Sequence, residues 1–153
     1  MHEHIHKRYV VDASVAVKWF SQANEKDIEV ALRLQELHLS KQSILTVPDL
    51  LFYEVANALR YNVNFTEDDL AAAFISLTKL NLDAYPPSGG LIEESLKIAR
   101  LHDVTVYDAS YVALAQLLGC ACITADSKFS RKAKNIPQLI EISELAVNLS
   151  KGT

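Results

Sequence analysis

The chain contains little glycine, proline or cysteine: four, four and two among its 153 residues. So few glycines and prolines exclude a collagen-like repeat, a low-complexity linker and an all-β chain dense in turns. Intrinsic disorder is also excluded, because half of the residues are apolar and 22% are charged. No apolar run reaches the roughly 18 residues of a membrane span, and no hydrophobic signal core follows the first eight residues. The sequence therefore predicts a soluble, non-exported, cytoplasmic protein with no membrane partner.

The two cysteines, Cys120 and Cys122, lie two residues apart in an apolar stretch. On a strand both side chains would point to the same face of the sheet, but their Cα atoms would lie too far apart for an easy disulfide. We interpret them as small buried residues of a protein in a reducing compartment. A Cys-x-Cys metal clip is the alternative, but no second Cys/His pair follows at ligand spacing.

The net charge of −4 and the isoelectric point of about 5.7 exclude a generally basic surface for nucleic acid. One basic cluster remains, formed by Lys128, Arg131, Lys132 and Lys134. Its side chains either bind RNA phosphates or form a solvated helix face.

His2, His4 and His6 alternate near the start, where an untethered tail is favoured over a metal site.

Strand-like and helix-like segments alternate along the chain. Five apolar, largely β-branched segments are predicted as strands: Tyr9–Val11, Ile44–Val47, Leu82–Tyr85, Cys120–Thr124 and Leu139–Ile142. Six main helices are predicted between them: Val15–Phe20, 24–39, Leu51–Leu59, 67–80, Leu91–His102 and Ala109–Leu118. This alternation predicts a layered α/β fold with a mainly parallel sheet. The predicted boundaries are a tail over residues 1–8, one domain over 9–149 and a second tail over 150–153.

Helix ends are predicted from capping residues. The predicted N-terminal caps are Ser14, Asn24, Asp49, Thr66 and Asp108. Gly119 is predicted to end the most apolar helix, and Ser88-Gly89-Gly90 is interpreted as a connecting loop.

Four acidic residues stand out by position: Asp12, Glu54, Asp108 and Asp126. Asp12 and Asp126 follow predicted strands, whose carboxyl ends meet at one edge of a parallel sheet. Asp108 opens a buried helix, and Glu54 lies on the helix after the second strand. A helix cap alone would explain Asp108 or Asp126 singly, but a solvated position does not suit Asp12, which is surrounded by apolar residues.

Clustered carboxylates repel one another: two of them about 5 Å apart cost about 3 kcal/mol at an effective dielectric of about 20. A bound cation relieves this cost. Because all four ligands would be oxygens, the preferred ion is Mg²⁺ or Mn²⁺ rather than Zn²⁺. The chemistry that this predicts is metal-assisted attack of water on a phosphodiester.

Four segments, in order, resemble the motifs of the PIN-domain superfamily, and most of all its VapC-type toxins. They are residues 10–20, 48–59, 106–115 and 123–129. The resemblance implies a PIN-like, Rossmann-like three-layer α/β fold and an endoribonuclease dependent on Mg²⁺ or Mn²⁺, with RNA as substrate. It transfers the catalytic and metal-binding roles to the four acids, with Ser14, Asn57 and Thr124 as polar support. It also implies a homodimer inhibited by a small antitoxin whose C-terminal segment enters the site.

Two alternatives stay open at this point. An aspartyl-phosphate mechanism, as in phosphatases of the haloacid dehalogenase type, wants a second Asp two residues after the nucleophile, where this chain has Ser14. A degenerate PIN module that only binds RNA or protein is disfavoured because all four acids are present.

Overall fold

Five parallel strands form the central sheet of the computed structural model, which describes residues 7–22 and 25–145. The strands are β1 Lys7–Val11, β2 Ser43–Pro48, β3 Asp83–Tyr85, β4 Ala121–Thr124 and β5 Leu139–Glu141. All five predicted strands are confirmed, each within two residues of its predicted bounds. Their order in the sheet is β3-β2-β1-β4-β5, so the first strand of the chain lies in the middle.

Helices cover the sheet, as the α/β prediction requires. They are α1 Ala13–Ala16, α2 Ile28–Leu39, α3 Leu50–Arg60, α4 Glu67–Lys79, α5 Gly89–His102, α6 Val106–Leu118 and α7 Ser127–Lys132. The predicted helix over Val15–Phe20 is shorter, because a 3-10 turn over Val17–Trp19 follows α1. None of these helices within the described ranges is long and apolar enough to cross a membrane.

The core lies around β1 and α6. Val10 pairs with Thr46 on one side and with Cys122 on the other, and Val10 and Val11 are fully buried. Helix α6 is buried on all sides from Ala109 to Ala115, which explains why its sequence is apolar almost throughout. The edge strand β5 is half-buried.

Three predicted helix starts are corrected by the structure. Asp12, rather than Ser14, stands at the N-cap of α1. Asp49 is at the N-cap of α3 as predicted, although its side chain makes no capping hydrogen bond. Helix α2 begins at Ile28 after Asp27, whose φ is 57°, whereas the predicted cap at residue 24 lies outside the described residues. Helix α6 begins at Val106, because the Thr105 hydroxyl accepts the backbone N–H of residue 108 at 3.0 Å.

Other capping predictions are confirmed. Thr66 and Asp69 form a reciprocal capping box at the start of α4. Gly119 ends α6 with φ 67°, a left-handed conformation that costs glycine little. Ser88 is more than a connector, since its side chain accepts the N–H of Leu91 and the following glycines already belong to α5.

The cysteine interpretation fits the structure. Cys122 is fully buried, Cys120 is half-buried, and both are free thiols. Burial raises the pKa of the Cys122 thiol well above its ordinary value, which disfavours the thiolate that a metal clip requires. The histidines at positions 2, 4 and 6 and the predicted tail boundaries near the ends lie wholly or partly outside the described residues.

Candidate active site

Asp12 lies at the carboxyl end of the central strand and is 4% exposed. Its backbone N–H donates to the Ile123 carbonyl at 2.9 Å, which continues the pairing of β1 with β4. Its Oδ2 accepts two hydroxyl hydrogen bonds, from Ser14 at 2.7 Å and from Thr124 at 2.9 Å. Its Oδ1 has no hydrogen-bond partner within the described ranges. One carboxylate oxygen is therefore fixed, and the other is free to bind a ligand.

The same two hydroxyls also fix the loop after β4. Ser14 Oγ accepts the backbone N–H of Ala125 at 2.9 Å, and Thr124 Oγ1 accepts that of Asp126 at 3.0 Å. Each hydroxyl thus joins the Asp12 carboxylate to the segment that carries the next acid. Both predicted support residues lie where the prediction needs them, although neither caps a helix.

Asp126 has two functions in the structure. Its Oδ1 accepts the N–H groups of Lys128 and Phe129 at 3.0 and 3.1 Å and so caps α7. It also lines an open cavity of about 480 Å³ together with Asp108. The capping interpretation is therefore confirmed for this residue, and its role in the site stays a prediction.

Glu54 extends from α3 toward α6 and meets Tyr111. The tyrosine hydroxyl donates to Glu54 Oε1 at 2.7 Å, and the Tyr111 ring is fully buried. Tyr111 was not among the residues predicted from the sequence to serve the site. A signal was present, because a buried tyrosine in an apolar helix needs a hydrogen-bond partner, and Tyr111 lies one turn after Asp108 on the same helix.

The pKa values show that the four acids form one electrostatic cluster. Burial raises the pKa of Asp12 to about 7; hydrogen bonds from Ser14 and Thr124 oppose the rise, and the charges of Asp108 and Glu54 add to it. Burial also raises the pKa of Glu54, partly offset by its bond from Tyr111. The pKa of Asp108 rises through burial and then through repulsion by Asp126. Fold topology thus brings together all four predicted acids, while their catalytic role stays a prediction.

The donor set of this cluster fits a hard divalent cation. Every candidate ligand is a carboxylate oxygen, and the charges of Asp108 and Glu54 act on Asp12. Within residues 7–22 and 25–145, no three acidic, histidine or cysteine side chains are placed close enough to form a metal site by themselves. Mg²⁺ keeps several waters and takes one or two carboxylates directly.

Two of the four basic residues line the cavity that contains Asp108 and Asp126, namely Lys128 and Lys132. Lys132 also donates to the Asp103 backbone carbonyl at 3.0 Å. Arg131 and Lys134 are exposed and do not line this cavity. Asn57 is exposed on α3, and its side chain makes no hydrogen bond to the four acids in the part of the chain that the structure describes.

Lys18 is buried in the structure, and its burial was not predicted from the sequence. It is 5% exposed, and its Nζ donates to Glu25 Oε2 at 2.5 Å. The pair borders an open polar cavity that also includes Thr124 and Ala125. A single lysine inside the apolar run of residues 15–20 is the feature that could have predicted its burial.

The chain matches known proteins over most of its length. The PIN domain family model matches residues 9–135. The chain is 38% identical over 124 residues to Ribonuclease VapC1 of Mycobacterium tuberculosis, covering 79% of this chain and 87% of the relative. It is 30% identical over 142 residues to Exonuclease VapC9 of Pyrobaculum aerophilum, covering 93% and 96%.

Solved structures share the fold at lower identity. A crystal structure from Pyrobaculum aerophilum aligns with a TM-score of 0.66 at 24% identity, covering 97% of this chain and 99% of that one. A toxin–antitoxin complex from Klebsiella pneumoniae aligns with a TM-score of 0.63 at 17% identity, covering 88% and 97%. These likenesses confirm the predicted three-layer fold.

Proposed function

The chain belongs to the PIN domain family and to the VapC ribonucleases within it, and from this premise we propose that it is a divalent-metal-dependent endoribonuclease and the toxin of a toxin–antitoxin pair. The observation that carries the proposal is the convergence of Asp12, Glu54, Asp108 and Asp126. These acids come from four separate segments, yet the charges of Asp108 and Glu54 raise the pKa of Asp12, that of Asp108 raises the pKa of Glu54, and that of Asp126 raises the pKa of Asp108. Such mutual repulsion at one edge of a sheet has no structural benefit and is relieved by a bound cation.

The bound ion would be Mg²⁺ or Mn²⁺, and the residues that would hold it are Asp12, Glu54, Asp108 and Asp126. When bound, such an ion lowers the pKa of a coordinated water and polarises the phosphodiester. The chain's own residues set the geometry. Ser14 and Thr124 hold the inner oxygen of Asp12, so that the outer oxygen keeps one direction.

Tyr111 orients Glu54 in the same way. Because its hydroxyl holds Oε1, only Oε2 remains for the ion or for a water molecule. Lys128 and Lys132, which line the cavity with Asp108 and Asp126, supply positive charge for RNA phosphates on either side of the scissile bond. Asn57 remains proposed as polar support of the site, and Arg131 and Lys134 remain proposed as further RNA-binding residues.

The proposed partners are RNA, a small antitoxin and a second copy of the chain, and the proposed location is the cytoplasm. Toxin–antitoxin complexes among the structural neighbours support the antitoxin. A homodimer is supported by several large apolar side chains left exposed by the monomer, among them Val63 at 96% and Leu101 at 79%.

The test is cleavage of two labelled RNAs of the same sequence, one linear and one circular, with Mg²⁺, Mn²⁺ or excess EDTA. We expect cleavage of both RNAs with either metal ion, and none with EDTA. Asp12→Asn should abolish cleavage, whereas Asp68→Asn, an exposed acid in the first turn of α4, should leave it unchanged. Cleavage that persists in EDTA would refute the metal dependence, and cleavage of the linear RNA alone would make the enzyme an exonuclease.

The same assay addresses the alternatives. A binding module would retain RNA without cutting it under any condition. A phosphotransferase would form a covalent aspartyl-phosphate at Asp12, which mass spectrometry of acid-quenched protein would detect. The hydroxyl of Ser14 points at Asp12 Oδ2, at the position where that mechanism wants a second carboxylate.

A further inference from the structure

A second concavity adjoins the acids on the opposite side of the first turn of α6. This tyrosine groove has a volume of about 250 Å³, and its lining is almost wholly apolar. The lining residues that matter here are Asp49, Leu50, Tyr53, Pro87, Ile92 and Tyr107. They come from the starts of α3, α5 and α6, so the groove opens at the same edge of the sheet as the active site.

Two tyrosines at the groove are exposed to an unusual degree. Tyr53 is 78% exposed and Tyr107 is 61% exposed, and neither hydroxyl makes a hydrogen bond within the described ranges. Single exposed aromatic residues need no explanation. Two of them over one apolar groove form a surface on which a flat ring can stack.

Sequence and structure both place these tyrosines beside the catalytic acids. Tyr53 directly precedes Glu54, and Tyr107 directly precedes Asp108. The first turn of α6 separates the two concavities, because Val106 and Tyr107 line the groove whereas Asp108 lines the cavity with the lysines. An apolar aromatic surface and a cavity that carries Lys128 and Lys132 beside three aspartates thus lie on either side of one helical turn.

We propose that the tyrosine groove binds one nucleobase of single-stranded RNA, stacked on Tyr53 and Tyr107, while the neighbouring phosphates lie at the acids and at Lys128 and Lys132. This inference rests on the proposed ribonuclease function and deepens it. An aromatic groove next to a cavity with two lysines and the proposed metal site matches the alternation of base and phosphate in a single strand.

The size and the rim of the groove favour a base over the other occupants. The groove, at about 250 Å³, is smaller than the roughly 300–1,000 Å³ of pockets that hold drug-sized ligands, so its volume suits one flat ring better than a helix of a partner or of a second copy. The rim is polar, with two free tyrosine hydroxyls and the exposed carboxylate of Asp49. An apolar peptide side chain would leave these groups unused.

The carboxylate of Asp49 allows a prediction of which bases the groove binds most tightly. Its side chain makes no capping hydrogen bond, so the carboxylate is available as an acceptor at the groove. Carboxylates accept hydrogen bonds from the amino groups of bases. Guanine, cytosine and adenine carry such groups and uracil does not, so we expect uracil to be the least favoured base.

The test uses short single-stranded RNAs with 2-aminopurine at successive positions, mixed with the protein and Mn²⁺ in a stopped-flow instrument. Stacking on tyrosine should quench the fluorescence at one position before cleavage occurs. Tyr53→Ala and Tyr107→Ala should each remove the quench and raise KM about 5- to 150-fold, the effect of losing one base–aromatic stack. Tyr53→Phe and Tyr107→Phe keep the rings and should keep the quench.

Tyr61→Ala is the matched control, because Tyr61 is 67% exposed on the surface but lines neither concavity. Parent-like KM and quench in both groove alanine variants, with cleavage intact, would overturn the inference and leave the ribonuclease function standing. Loss of all cleavage in the parent protein would instead refute the proposed function. A switch from dimer to monomer in light scattering of the alanine variants would assign the groove to contact between copies and overturn the base proposal.

Discussion

Removing the charge of Asp12 should stabilise the protein when no metal is bound. Burial raises the pKa of this carboxyl from 3.8 to about 7, and each pKa unit corresponds to about 1.36 kcal/mol. The free energy of unfolding is therefore lower by about 4 kcal/mol once the pH exceeds both the unfolded-state pKa of 3.8 and the native-state pKa of about 7. Asn at this position keeps an oxygen that accepts the hydroxyls of Ser14 and Thr124, so the substitution removes the charge and retains the hydrogen bonds.

The sign of the pH dependence follows from the raised pKa. Below about pH 4 the group is protonated in both states and costs nothing. As the pH rises, the unfolded chain releases its proton first, so the native state loses stability until the pH passes about 7. Of the total loss, about 2 kcal/mol should fall between pH 5.5 and pH 8.

Urea unfolding in EDTA at these two pH values provides the assay. The free energy of unfolding of the parent changes with pH by a different amount from that of Asp12→Asn. This difference is the contribution of the Asp12 carboxyl to stability, because the other ionisable groups are common to both proteins. The variant should exceed the parent in free energy of unfolding by several kcal/mol at pH 8, and by less at pH 5.5. Asp68→Asn, at an exposed position, should match the parent.

Metal should narrow this difference. Saturating Mn²⁺ at 100 times Kd adds about 2.7 kcal/mol to the parent, which is more than half of the loss of about 4 kcal/mol, whereas the variant lacks a proposed ligand and should gain little. A variant less stable than the parent in EDTA at pH 8 would refute the reasoning, because Asp12 would then stabilise the metal-free fold. Equal stabilisation of both proteins by Mn²⁺ would show that Asp12 is no ligand.

Three further outcomes follow from the site. Tyr111→Phe should weaken Mn²⁺ binding in calorimetry and slow cleavage while RNA affinity stays unchanged, since only the bond to Glu54 is lost; unchanged Mn²⁺ affinity would contradict the positioning role. Thr105→Ala should cost about 1 kcal/mol of stability by uncapping α6, measured by urea unfolding, and no loss would mean that another group caps the helix. Replacing Lys128 and Lys132 by Ala should reduce the salt dependence of RNA binding by nearly two counterions, and an unchanged slope in fluorescence titrations would make them a solvated face.

Local patterns in the sequence were sufficient to predict the strands, most helices and the four acids. Runs such as Tyr9–Val11 are recognisable because a strand buried on both faces must be continuously apolar. Asp12 was identifiable as a site residue because a carboxylate inside such a run is costly unless it has a function. Helix starts were less predictable: Thr105 and Asp108 both have side chains that suit an N-cap, and the choice between them depends on backbone geometry.

Tertiary structure decided which side chains meet. The sheet order places β4 beside β1, and this places Thr124 within 2.9 Å of Asp12 although 112 residues separate them. The packing of α6 against the sheet brings the Tyr111 hydroxyl to Glu54, and the end of α5 brings Asp103 to Lys132. Periodicity and capping are properties of neighbours in sequence, so they fix which residues form each element. The hydrogen bonds and charge repulsions that shape the site join distant segments, and only the folded chain sets the distances on which those energies depend.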